Sequence, residues 1–238
     1  MTADKWTRAV REQLGMGRLL PLGEPRDGAW ITEEAAEAVL RGAARELPGV
    51  RLGVLRIAMA DPERTYEPVV PAPPSALPPG PLRVTADFTA AASEPLPTTA
   101  SRLRTALALA ATERIGLVVA EVDLRVTALL DEEEERPEPE SGRPPRPAGA
   151  AREGDEARVA EAALAVPGVS ALTDVLGRAV RLEDRQDGTA TLPRRHARVE
   201  IAVRADHRAL EVAREVRSAV SDALTDQPTV AVLVTAAG

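Results

Sequence analysis

The chain repeats itself. A helical pattern that ends in Pro48–Gly49–Val50 returns as one that ends in Pro167–Gly168–Val169. Further on, Leu103, Leu107, Ala110 and Ile115 recur at one constant offset as Val212, Val216, Ala219 and Leu224. The closing Arg125–Val126–Thr127–Ala128 matches Leu233–Val234–Thr235–Ala236. Each copy is roughly 90 residues long, enough to bury a core, so the copies read as domains rather than as turns of a solenoid. A duplicated chain must solve one folding problem twice, and this restricts it more than any single motif does.

Hydrophobic periodicity gives the contents of each copy. Ala36, Val39, Leu40, Ala43 and Leu47 form the stripe of a half-buried helix, with Thr32 placed to cap it and Glu33 and Glu34 in its first turn. Proline, glycine and valine then end the helix, turn the backbone and re-enter the core. Val50 to Ala58 reads as a strand, and so does the alternation of Leu82, Val84, Ala86 and Phe88. Ser101 to Ile115 reads as a second helix, and Val122, Leu124 and Val126 as a third strand. In the second copy the corresponding stretches are a helix over Glu156–Val166, strands over Leu176–Glu183 and Ala197–Ala205, a helix over Leu210–Leu224, and a last strand through Val230, Val232 and Val234.

The expected fold class is α+β: two tandem modules, each a three-stranded, mostly antiparallel sheet with two helices in the order α-β-β-α-β. The boundaries are an N-terminal helix and apolar arm over 1–29 and a first module over 30–130. An acidic, proline-rich linker over 131–154 and a second module over 155–238 follow. The helix of the arm spans Asp4–Leu14, and Leu19, Leu20 and Leu22 are expected to pack on the main body. The first module carries a proline-rich insert over 61–81 that cannot be regular structure. Five consecutive acids, Asp131 to Glu135, followed by prolines, keep the linker extended.

Composition removes several functions. The chain of 238 residues has no cysteine, so disulfides and thiolate metal sites are excluded. Aromatic residues make up only 2%, which leaves few platforms for stacking bases or sugars. A net charge of -7 disfavours a general phosphate-binding surface. The first ten residues lack an apolar signal core, and no apolar run approaches the roughly 20 residues needed to span a bilayer. A cytoplasmic location is the expectation.

The stretch VAEAALAVPGVSALTDVLG, followed by Val212–Ala213–Arg214–Glu215–Val216 with Val220 and Leu224, resembles the alkaline shock protein family of bacterial envelope-stress proteins. In that family a helix ends in Pro-Gly-Val, then a strand hairpin, a helix and a terminal strand follow. The first half resembles the family less closely, through AAEAVLRGAARELPGV and the run from Arg102 to Leu129. Relatives of this layout are also labelled after a nucleopolyhedrovirus fibrous protein. The chain departs from the family in its duplication, in the insert, and in Thr225–Asp226–Gln227–Pro228 where a Thr-Gly is usual. The resemblance implies a non-enzymatic accessory or scaffolding role in envelope stress or homeostasis. It implies protein partners or self-association, a small membrane-anchored protein that brings the chain to the inner face of the membrane being one such partner.

No catalytic template fits. His196 and His207 stand apart from any nucleophile motif and read as solvated, and metal-ligand spacings are absent. No cofactor is expected. Glu200, Asp206 and Glu211 lie close in sequence but look like an ordinary charged face. An enzyme with an unrecognised carboxylate site remains one alternative. A nucleic-acid-associated protein using the basic cluster Arg194, Arg195 and Arg198 is another. One surface stands out: Thr229, Ala231, Leu233 and Thr235 alternate with the core-facing valines of the last strand and are too apolar for a solvent side. This face is expected to pack against the first repeat or a partner.

Overall fold

A computed structural model describes residues 18–130, 154–185 and 194–238. The expected N-terminal helix over Asp4–Leu14 and almost all of the linker lie outside the described residues. Within them there are four helices and nine strands. A hairpin comes first, β1 (Leu19–Leu22) and β2 (Ala29–Thr32), joined by one 3-10 turn at Pro25–Asp27. The first module follows as α1 (Glu33–Arg45), β3 (Val50–Met59), β4 (Leu82–Ala91), α2 (Leu96–Leu109) and β5 (Val119–Leu130), with the end of α2 widening over Ala110–Ile115. The second is α3 (Asp155–Leu164), β6 (Val169–Leu172), β7 (Val180–Arg185), β8 (Arg194–Val203), α4 (Ala209–Ala223) and β9 (Thr229–Ala237).

The duplication is real in topology. In the first module β3 pairs antiparallel with β4, and β4 pairs parallel with β5. In the second, β6 and β7 share the role of β3: both pair antiparallel with β8, which pairs parallel with β9. The modules are therefore mixed sheets, not mostly antiparallel ones. A helix between the second and third strands carries the chain back to the end from which it started, so those two strands run the same way. The first strand of the second module is broken in two, where a single strand over Leu176–Glu183 was expected.

Local expectations hold at the helix ends. The Thr32 hydroxyl accepts a hydrogen bond from the Ala35 N–H at 3.2 Å and caps α1. Gly49 and Gly168 both adopt positive φ, 72° and 92°, the left-handed turn that ends a helix most cheaply at glycine.

The two modules do not stand apart. β2 pairs parallel with β9, so the hairpin β1–β2 extends the second sheet to six strands while α1, immediately after it, belongs to the first module. The arm over 1–29 therefore contributes a strand where a packed loop was expected. The first three residues assigned to the first module, Trp30 to Thr32, serve the second sheet instead. α1 packs on β3 and also on β9, and α4 packs on β9. Helices thus fill the space between the two sheets, and one continuous core runs from Phe88 and Leu107 through Leu40 and Ile31 to Val216 and Val232.

The proline-rich insert is a strap. Its base is closed by Ala60 N–H to the Pro81 carbonyl and Tyr66 N–H to the Pro79 carbonyl, at 2.9 and 2.8 Å. Its far part reaches the other module: Leu77 N–H donates to the Leu19 carbonyl and Val69 N–H to the Pro25 carbonyl. Trp30 Nε1 donates to the Leu77 carbonyl at 3.4 Å.

Candidate functional sites

The outer face of the second sheet holds the most unusual chemistry. Strand alternation puts His196, Arg198 and Glu200 of β8 on the side away from the helices, beside Thr229, Ala231 and Leu233 of β9. The strap closes over part of this face. Val70 from the strap packs with Leu19, Trp30, Ala231 and Leu233 in a small second core. Leu233 is 0 % exposed, so the apolar face singled out in the sequence is covered by the first repeat within the same chain. Its ends are polar. The Thr229 hydroxyl lies 2.9 Å from His196 Nδ1, and the Thr235 hydroxyl lies 2.7 Å from that of Thr173.

Glu200 is 0 % exposed. Its Oε2 accepts from the Leu176 N–H at 2.9 Å, but Oε1 has no hydrogen-bond partner. Arg198 Nη2 stands 3.6 Å from that oxygen, beyond hydrogen-bonding distance, and the Arg198 Nε is also unpartnered. Burial pushes the Glu200 carboxyl up to about 7, against the pull of the Leu176 N–H and the Arg198 charge. Burial likewise lowers the Arg198 guanidinium, which faces Arg181 across the β7–β8 ladder.

Beside this pair a cleft of about 350 Å³ opens between the strap, over Glu67–Ala72, and Arg185, Arg194, His196 and Thr229. His196 is buried at its floor and not solvated, and burial with the nearby Arg185 charge lowers its pKa. Glu67 is the one carboxylate among the lining residues. Glu200 is therefore no part of an ordinary charged face: it is buried, it does not line the cleft, and the charge of Asp174 adds to the upward push on its carboxyl. Among the described residues no group of three or more histidine, aspartate or glutamate side chains is arranged to hold a metal.

The basic cluster is divided. Arg194 is exposed at the cleft rim. Arg195 points to the other side of the sheet, toward Asp155 at 2.9 Å and Asp226 at 3.2 Å. Arg198 is buried against Glu200. Three near neighbours in sequence cannot form one patch when strand alternation sends them to opposite faces.

The other site is an edge. β9 is covered on its far side by β2, but β5, its counterpart, pairs only with β4 among the described residues. Bulges leave Ala120 and Thr127 without partners, so the regular ladder on β5 runs from Glu121 to Val126. Glu121, Asp123 and Arg125 lie on the outer face. Arg83 holds Glu121 at 2.6 Å and Asp123 at 3.5 Å. Arg125 grips Asp87 through two bonds of 2.8 and 2.7 Å, which lower the Asp87 carboxyl. Val122 and Leu124 face the core, and Val126, at the end of the ladder, is 38 % exposed. Sequence periodicity identified this strand but not its open edge, because strand neighbours are set by the whole chain.

No protein-family profile matches the chain, and no curated protein matches it. Solved structures of the MamM C-terminal domain are similar to part of it. A doubly substituted form is 16% identical, covering 40% of this chain and 92% of that one. A cadmium form is 17% identical, covering 40% and 94%. A copper form is 16% identical, covering 40% and 95%. The TM-score is 0.26 in each case.

Proposed function

We propose that this protein is a non-enzymatic accessory or scaffolding protein that acts by protein–protein association. The observation that carries the proposal is the 12-residue strand β5, beyond which no strand lies among the described residues, where the equivalent edge of β9 is filled. An open, regular edge offers a row of backbone donors and acceptors that another strand can use. The division of Arg194, Arg195 and Arg198 between two faces speaks against the nucleic-acid alternative. The full burial of Glu200, which closes its carboxyl off from a substrate, speaks against the carboxylate-site alternative.

The biological setting rests on the resemblance to the alkaline shock protein family: cell-envelope stress response or homeostasis, from the cytoplasmic side. No described helix is long and apolar enough to cross a membrane. Contact with the membrane would run through a small anchored partner.

The test is photo-crosslinking in the native cell. A photoreactive residue at Val126 is expected to give discrete protein adducts, partly in the membrane fraction, while one at the exposed Glu161 on α3 gives none of these. A strain lacking the protein is expected to be more sensitive to envelope-damaging agents. The same faint background at both positions, with wild-type tolerance in the deletion strain, would overturn the proposal.

A further inference from the structure

The second module shows how this kind of edge takes a strand. On β9 the Val232 N–H donates to the Gly28 carbonyl at 3.1 Å. Arg217 of α4 donates from Nε to the Val230 carbonyl at 3.1 Å. Its Nη1 reaches the incoming hairpin, at 2.7 Å from the Arg26 carbonyl and 2.6 Å from that of Asp27. The corresponding β5 positions are Val122 and Leu124. There Arg104 of α2 donates from Nε to the Val122 carbonyl at 3.1 Å. That carbonyl is thus turned away from β4, an arginine sits on it as on its counterpart, and no described strand lies beyond.

We propose that β5 pairs with β5 of a second copy of this chain, antiparallel about a two-fold axis at Leu124, joining two three-stranded sheets into one of six. This deepens the association reading and rests on it. Backbone direction sets the phase. Because the Val122 carbonyl faces outward, so do the backbone groups of Leu124 and Val126, and these three positions exchange hydrogen bonds when the axis passes through Leu124. Val122 then lies opposite the partner's Val126.

Charge sets the register. With the axis at Leu124, Asp123 lies opposite the partner's Arg125, twice by symmetry. An axis at Asp123 sets Glu121 opposite Arg125 but Asp123 against itself, one at Arg125 sets arginine against arginine, and one at Val122 sets Glu121 against Asp123, so of these only the axis at Leu124 pairs opposite charges with no like pair. A shift by one residue turns the outer face of one sheet toward the inner face of the other. The segment from Glu121 to Val126 contains no proline or lysine and no inward-pointing charge; its charged residues all lie on the outer face, and the bulges at Ala120 and Thr127 bound it without interrupting it. Direction follows from the acids at 131–135, directly after the strand. Antiparallel pairing sets the strand ends at Leu130, after which the acids follow in sequence, roughly 40 Å apart at about 3.3 Å per residue, whereas parallel pairing sets them side by side.

The experiment uses the full chain in sedimentation equilibrium. The parent is expected to dimerise, and Asp123→Arg or Arg125→Asp is expected to weaken the dimer about tenfold each. The double substitution is expected to restore it. Within one chain the double substitution sets Arg83 against a new arginine and Asp87 against a new aspartate, so a merely structural role predicts that it is worse than either single change. Circular dichroism checks that each variant is folded. Leu124→Cys supplies the chain's sole thiol, and residues opposite each other across the axis lie about 5.5 Å apart at Cα, within disulfide range. Mild oxidation is expected to link Leu124→Cys chains and to leave Val118→Cys chains single. A parent that stays monomeric, or a double substitution without rescue, overturns self-pairing. If Val126 still crosslinks to another protein in cells, the association reading survives that result; if it does not, both fall.

Discussion

Glu200 carries the clearest pH signature in the molecule. Its carboxyl titrates near 7 in the folded chain and at the ordinary 4.5 when unfolded, so the folded form keeps a proton that the unfolded form releases between those values. Stability from this group is complete below about pH 4.5 and is lost as the pH rises through about 7. The shift corresponds to up to ~3 kcal/mol. Glu200→Gln, which keeps the shape without the charge, is expected to be more stable than the parent at about pH 8 by a sizeable part of that amount. Urea denaturation from about pH 5 to about pH 8 measures it, and a parent with flat stability across that range refutes the assignment. The alternation of β8 places Glu200 on the face opposite the valines, and that much is legible in the sequence. That the face is closed is not legible, because its cover comes from Val70 in a strap more than a hundred residues earlier, where proline removes any periodic signal.

At the scale of elements, the hairpin β1–β2 is tied down at its turn. Asp27 is buried, which opposes its charge. Two bonds from Arg214, at 2.9 and 3.0 Å, and one from the Glu24 N–H at 2.7 Å outweigh that and hold the carboxyl below its ordinary value. Stability from Asp27 is therefore present above about pH 3.8, its unfolded value, and fades as the pH falls through the folded one. Asp27→Ala is expected to cost about 2 kcal/mol and to speed amide exchange in β1 and β2 more than in β4. Uniform acceleration across both sheets would mean that the hairpin is not a separate unit. The helices with their caps and the Pro-Gly-Val turns could be read from the sequence because their determinants lie within a few residues of one another. The pairing of β2 with β9 could not: Ala29–Trp30–Ile31–Thr32 is short, and its partner lies at the other end of the chain. The break between β6 and β7 is not legible for a related reason: Thr173 and Ala179 both bond to the backbone of Glu200, and the chain between them loops out so that the Leu176 N–H reaches the Glu200 carboxylate.

For the whole molecule, duplication did not produce two independent domains. The first half supplies the second with two strands, a helix against β9 and the strap over Leu233. The second half on its own, residues 154–238, would expose the edge of β9 together with Ala231 and Leu233, an apolar surface beside an unpaired strand. That fragment is expected to be aggregated or only partly ordered when expressed alone. Co-expression with residues 18–130 is expected to yield a stable complex, because the hairpin, α1 and the strap all reside on that half and need no covalent link to dock. Chromatography and amide exchange on the two fragments, separate and together, decide the matter. A 154–238 fragment that is monomeric and protects β9 as the full chain does would show that the shared core is dispensable. If the complex forms, β5 remains its one open sheet edge of this type among the described residues, and the complex should dimerise with the same sensitivity to Asp123 and Arg125 as the intact chain. Filling one of two equivalent edges from within leaves the other, that of β5, for association.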